Sequence, residues 1–319
     1  MLSDEYLTKG LTALSRAWTQ KSAMVGHTGA AVIAAYFFCR ENELEDRTQE
    51  LIDKLVDNLI EQNGAFWDKN AKESDSLFAP YSKEPHNPEL LADIISALDQ
   101  KIAVLRSSGH CTIFASLALK GLKQIPQMIT PSVVDGICKL ILKFGDSPGQ
   151  GYYGKEKGWL RGIPVEPEKH LSPYKNIHDV IKAAFHEIIT HDRIKQRGYG
   201  SHLHLTTHTN ALLELDEMGY SELSQKGYHA HQTHIMLLRS LPPDTLEHDE
   251  IKRFEPAKFS PLTYDYWNTY DPTQEQKSAL QLGGADHVLK ISYAFFHILK
   301  SVSNVQKQET YLQQLGYVT

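Results

Sequence analysis

The chain has 319 residues, 41% of them hydrophobic and 23% charged, with a formal net charge of −6 at pH 7. That length is enough to bury a sizeable core, and that composition excludes wholesale disorder. An acidic balance with no long Lys/Arg block excludes a protein that tracks nucleic-acid phosphates.

Cys39, Cys111 and Cys138 are scattered without CxxC spacing, so no disulfide framework is expected and a reducing cytoplasm is the simplest home. The opening MLSDEYLTKG carries acidic residues before any apolar run, and no apolar stretch reaches membrane-spanning length. Neither a signal peptide nor a transmembrane helix is expected.

In chain order, Gly26-His27 leads the apolar run TGAAVIAAYFF, which reads as a buried helix. Between Glu41 and Gln62, Leu44, Leu51, Leu55 and Leu59, with Val56 and Ile60, put one apolar stripe on a charged helix. A loop over 64–87 follows, rich in Pro, Gly and aromatic residues, among them Phe66, Trp67, Phe78 and Tyr81. Pro88 opens a helix carrying Leu90, Leu91, Ile94, Ile95 and Leu98, which ends by Ser107-Ser108-Gly109. Gly109-His110 then leads CTIFASLALKGL, and Pro131 starts another amphipathic helix running to Gly145. A loop over 145–174 holds Tyr152, Tyr153 and Trp159. Beyond it, AAFHEIITHDR is one helical run, and His204 leads LTTHTNALLEL. A third loop, 241–272, contains Tyr266 and Trp267, and Asp286-His287 leads VLKISYAFFHIL.

Amphipathic helices alternating with more apolar, His-led ones imply an all-α chain with an inner and an outer layer. The expected architecture is an α/α toroid or a large irregular helical bundle, in one domain over 1–319 with long aromatic-rich loops. Loops this long either cover a site or are ordinary packed connections. On the first reading Tyr152, Tyr153, Trp159, Tyr266 and Trp267 line a pocket for a flat substrate.

His27, His110, His204 and His287 recur at wide, similar intervals, each at a helix start, with small and apolar residues about two turns later. Alternate helices of one ring would bring their N-terminal ends to one side, where four imidazoles could converge on iron, zinc, copper or nickel. The same helix N-termini disfavour a cation, so an anionic ligand would help. Lys290 lies three residues after His287 on the same predicted face. Buried in VLKISYAFF it would lose its charge, and the neutral amine could take up carbon dioxide as a carbamate. Alternatively, its ammonium snorkels to the surface or pairs with Asp286.

Other histidines compete. His208, one turn beyond His204, could replace it, act as acid or base, or be a hydrogen-bonded core residue. His186 and His191 offer another match for the role given to His110. His229, His231 and His234 in GYHAHQTHIM are expected on a polar helical face.

Taken in order, Gly26-His27, Gly109-His110, His204-Leu205-Thr206-Thr207 and Asp286-His287-Val288-Leu289-Lys290 resemble the questin oxidase-like proteins. That family includes fungal enzymes that oxidatively open anthraquinone-type rings in polyketide secondary metabolism. The resemblance is clearest at DHVLK and HLTT, and its anchors span residues 26 to 290. It implies a helical non-haem Fe(II) oxygenase whose metal is held by His27, His110, His204 and His287 with a carboxylated Lys290. Its substrates would be dioxygen and a small cyclic molecule, oxidised by ring opening or a Baeyer-Villiger-like step. The need for an external reductant such as NADPH stays open.

Competing chemistries fail on particular residues. A lanthionine-synthetase-like toroid needs two Cys with a His, and terpene synthesis needs a DDxxD segment; neither is present. No Gly-rich dinucleotide fingerprint occurs. His178-Asp179 and His191-Asp192 leave an HD-type metal-dependent phosphohydrolase as an alternative, and a non-catalytic helical scaffold is the plainer one.

Overall fold

A computed structural model describes residues 2–67, 76–149, 167–169, 171–190, 201–239, 258–269, 284–313 and 315. The structure is 73% helix, with no strand among the described residues, as the periodicity predicts. No helix among them is long and apolar enough to cross a membrane. The chain divides into two compact units, each built from separated stretches. The first comprises Met1–Leu98, Phe114–Phe144 and Lys258–Ala294, and the second Asp99–Ile113, Gly145–Ala257 and Phe295–Thr319.

In the first unit, α1 (Asp4–Arg16) carries acids in its first turn and Arg16 in its last, each complementing the helix dipole. It lies against α2 (Gly26–Glu41), which is apolar all round and buried over nearly its whole length. The two helices approach closely because glycines face each other. A Cβ on Gly29 would sit 2.4 Å from the Leu14 backbone nitrogen and 2.7 Å from the Gly10 carbonyl. The helix expected from Glu41 begins later, as α3 (Asp46–Gln62). The break is local: Asn42 turns extended (φ −128°) and its side-chain amide donates to the Phe38 carbonyl, capping α2. Of the predicted stripe, α3 buries Leu51, Leu55, Val56 and Leu59, joined by Ile52, while Ile60 is half-buried and Leu44 precedes the helix.

Pro88 opens a single 3-10 turn, capped by Asn87, before α4 (Leu91–Asp99). α5 (His110–Gln124) and α6 (Pro131–Lys143) follow, and α6 packs on α1. The Glu84 carboxylate accepts from the Ser132 N–H at 2.9 Å, so the 76–87 segment caps the start of α6.

The second unit is organised on α8 (Ser201–Glu217), against which α7 (Ile177–Thr190), α9 (Ser221–Lys226) and α10 (Tyr228–Arg239) pack. Leu105, Ala184, Leu205, Ala230, Ile235, Leu237 and Leu238 form one core cluster. Glu187 of α7, buried in this unit, takes both its oxygens to the Arg239 guanidinium of α10. Phe185 stacks on Tyr311 of the C-terminal helix Val305–Leu312, with centroids 3.8 Å apart.

Because the Gly29 contact is to backbone, it cannot be relieved by a rotamer change. Gly29→Ala is expected to destabilise the first unit by about 2 kcal/mol, read as a lower urea midpoint at unchanged slope. Gly145→Ala serves as the control, since a Cβ there meets nothing within 4 Å.

Candidate metal centre

Each of the four singled-out histidines lies within the first four residues of a helix: α2, α5, α8 and Gly284–Lys300, here α12. All four are buried. Apolar sequence on every face of α2, and on the flanks of the others, carries these polar rings inward, where their nitrogens must find partners within the protein.

In the first unit, His27, His287 and Lys290 come together. The His27 and His287 ring centroids are 4.5 Å apart, and Lys290 Nζ is in hydrogen-bonding contact with His27 Nδ1. Lys290 is only 3% exposed, which excludes snorkelling to solvent, and burial pushes its ammonium well below the ordinary lysine range. Phe114 lies edge-on to His27 at 5.3 Å and 6.0 Å from the Lys290 nitrogen. The expected register of His287 and Lys290 on one face of α12 is observed.

Sequence reading underrated two residues here. Asp286 lies 3.3 Å from His287 Nδ1 through its Oδ1 and accepts the Trp67 indole N–H at 2.6 Å through its Oδ2. Trp67 also stacks on His27, with centroids 4.2 Å apart and planes 11° from parallel. His27, Asp286 and His287 offer ligand atoms within 4.8 Å of one another, all buried, which fits a divalent transition metal in donor type and spacing.

In the second unit, His110 and His204 come together, their Nε2 atoms 3.1 Å apart. His110 Nδ1 is hydrogen-bonded to the Ser107 carbonyl. A carbonyl only accepts, so this ring carries its proton on Nδ1 and presents the Nε2 lone pair, the tautomer a metal ligand needs. A run of left-handed backbone delivers that carbonyl: Ser107, Ser108 and Gly109 have φ of 43°, 57° and 89°. Two non-glycine residues in that region represent stored strain. Gly109 is required twice over, because a Cβ there would lie 2.7 Å from the His208 ring.

His208 thus supports the turn before His110. It is completely buried, and burial pushes its pKa down to about 4. Its Nδ1 lies 3.4 Å from His234 Nδ1, and its ring centroid 5.6 Å from that of His231. The placement of the α10 histidines on a polar face holds for His229 alone, which is exposed. His231 and His234 are fully buried. The signal was present in the sequence: His231, His234, Ile235 and Leu238 follow the i, i+3, i+4, i+7 spacing of one apolar face. Thr209 donates its hydroxyl to the Leu205 carbonyl at 2.7 Å, so it accepts from His231 Nε2 at 2.9 Å. His231 Nδ1 is then left to accept from the Tyr174 hydroxyl at 3.2 Å.

Of the expected pocket residues, Tyr152, Tyr153 and Trp159 lie outside the described residues, as does His191. Tyr266 and Trp267 fall on the short helix α11 (Tyr264–Asn268), which packs on α3. Trp267 is buried near Phe38 of α2, and its indole N–H donates to the Pro261 carbonyl at 2.6 Å. Its described contacts anchor this segment to the core. His186 is exposed, whereas His110 is buried. His178 is exposed too, and the Asp179 carboxylate accepts from the Lys175 N–H at 2.8 Å, a turn contact at the start of α7.

Comparison with known proteins finds no family model, curated protein or solved structure that matches this chain.

The buried histidines of the second unit give a definite pH dependence. His208 is neutral in the folded state down to about pH 4, whereas in the unfolded chain it takes up a proton below its ordinary value near 6.5. Between these values the unfolded state binds more protons, so stability falls as pH drops from about 6.5 to about 4 and is independent of this group above that window. The shift of His208 corresponds to about 3 kcal/mol over the window. His231, pushed in the same direction by burial and by His208, adds to it. Urea unfolding at a series of pH values is expected to show this loss. His208→Gln is expected to have a shallower slope, and an unchanged slope would mean that His208 titrates as a solvated histidine.

Proposed function

We propose that the protein is a non-haem iron-dependent oxygenase that opens, or inserts oxygen into, the ring of a cyclic aromatic or quinonoid molecule. The observation that carries this reading is the buried group of His27, Asp286 and His287 with Lys290 against it. Borderline metals favour imidazole and carboxylate donors, and such a set on iron(II) characterises many oxygen-using enzymes. The resemblance of the DHVLK and HLTT segments to the questin oxidase-like proteins supplies the substrate class.

Bound iron would supply the redox chemistry that activates dioxygen. The residues of this chain would do the rest. His27 and His287 would hold the metal, and the stacked Trp67 and edge-on Phe114 would keep water from the His27 side. A neutral Lys290 amine would form an N–C bond with carbon dioxide, release a proton, and so become an anionic ligand. The resemblance assigns the remaining ligands to His110 and His204, whose facing Nε2 atoms suit that role. The three cysteines are free, in keeping with a reducing cytoplasm. For the phosphohydrolase alternative, the exposed His178 and turn-bound Asp179 give no support, and His191-Asp192 lies outside the described residues.

Protein purified without a His tag and reconstituted anaerobically with Fe(II) is expected to hold one iron per chain by elemental analysis. It should consume oxygen with members of a panel of anthraquinones and related ring ketones, assayed with and without NADPH. His27→Ala and His287→Ala should lose most of the iron, since a missing ligand is not restored by solvent. The same loss in His110→Ala and His204→Ala would support the full ligand set that the resemblance implies. Lys290→Ala should lower metal content or turnover, and Lys290→Arg should restore neither, because guanidinium stays charged and does not coordinate. A wild-type chain that takes up no iron would leave the non-catalytic scaffold as the reading.

A further inference from the structure

We propose that Asp286 is itself a metal ligand, completing a two-histidine, one-carboxylate face with His27 and His287, and that Trp67 is the residue that positions it. This rests on the metal-binding reading above and extends it to a residue and an anion that the resemblance does not supply.

The two oxygens of Asp286 have separate surroundings. Oδ2 accepts the Trp67 indole N–H at 2.6 Å. Oδ1 has no hydrogen-bond partner among the described residues, although His287 Nδ1 lies 3.3 Å away. The side chain is buried, with a residue exposure of 2%, so bulk water does not solvate that second oxygen. A neutral indole satisfies one oxygen, and with a neutral His287 imidazole beside the other the carboxylate has no counter-charge in this pairing, an expensive arrangement in a protein interior. A divalent cation at Oδ1 resolves it. The distance to His287 is also the right one. With metal–ligand bonds of about 2.1 Å, neighbouring donors sit about 3.0 Å apart in an octahedron and about 3.4 Å apart in a tetrahedron.

Trp67 touches two of the three donors in different ways. Its ring lies flat against His27 at 4.2 Å while its N–H holds Asp286, so a single rigid side chain sets the orientation of an imidazole and of a carboxylate. Asp286 also stands in the first turn of α12, where the helix dipole favours a negative charge and offsets the repulsion that a helix N-terminus exerts on a cation. Lys290, one turn further on, directs its nitrogen to His27 Nδ1. The carboxylate and the amine therefore approach the group from different donors.

The test is Co(II) binding to the full-length, tag-free apoprotein, followed by visible absorption, tryptophan fluorescence and elemental analysis. Wild type is expected to bind one Co(II) with quenching of fluorescence. Asp286→Asn, which keeps the Trp67 hydrogen bond and the shape of the side chain, is expected to weaken binding by tenfold or more. Asp286→Glu should recover part of the loss. Trp67→Phe keeps the stacked ring and loses the N–H; it should weaken binding about tenfold and reduce the quenching, since the Trp67 indole stacks on His27. Asp286→Asn with wild-type Co(II) affinity and absorption, alongside a His27→Ala variant that no longer binds, would overturn this inference, removing the carboxylate from the group above while leaving a metal held by its histidines. A wild-type protein that binds no Co(II) would overturn the metal-binding reading as well.

Discussion

A polar side chain carried into an apolar helix must satisfy its hydrogen-bonding atoms inside the protein, and both histidine groups are consequences of that constraint. α2 is apolar on every face, so His27 has no route to solvent, and its ring is met by Trp67, His287 and Lys290. Lys290 is equally confined, and four methylenes of side chain end on the nitrogen of an imidazole instead of reaching water. Replacing such groups by hydrophobic residues of similar volume would often be neutral or favourable to folding. Stability alone therefore gives no reason for so many ionisable groups in one interior, and the metal proposed above would supply one.

The second unit shows the same preference for geometry over stability. Three successive residues with positive φ precede His110, and two of them are serines, which occupy that region at a cost of roughly 1 kcal/mol or more each. The result is that the Ser107 carbonyl meets His110 Nδ1 and fixes its tautomer. Gly109 completes the turn with His208 pressed against its Cα face, so a buried neutral imidazole underlies the strained segment. His208 has its nearest described contacts with this turn and with His231 and His234. Its part is to shape the backbone that carries His110.

What could be read in the sequence was whatever depends on periodicity along one helix. The all-α class, the buried face of α3, the proline-led starts of α6 and of the turn before α4, and the helix-start register of the four histidines all follow from local spacing. So does the shared face of His287 and Lys290. What could not be read depends on which segments meet. Trp67 sits in a loop far from Asp286 in sequence, and nothing local signals that its indole would bind that carboxylate. Asp286 was legible as a helix-start acid and as a partner for Lys290, but not as the acceptor of that indole. Tyr266 and Trp267 looked like pocket aromatics because they lie in a long loop, yet a short helix turns them onto the core of the first unit. His231 and His234 were legible and were misread, since a cluster of histidines suggests a polar face while their spacing with Ile235 and Leu238 specifies a buried one.

The charge balance of the first group links its chemistry to its position. A cation held among helix N-termini faces their positive ends, so histidines alone make a poor site for it. α12 offers two ways to supply the missing negative charge, on residues one turn apart. Asp286 carries it as a permanent property of the side chain, held by a neutral donor. Lys290 would carry it only after reaction with carbon dioxide, and burial, which lowers its pKa, favours the neutral amine that such a reaction needs. A carboxylate alone would give a metal held irrespective of carbon dioxide, and a carbamate alone would make occupancy follow it. With both on one helical face, the aspartate would set a basal affinity of the proposed site and a carbamate on the lysine would raise it. The spacing of four residues between them is thus the feature of the DHVLK segment from which the proposed site would draw its negative charge.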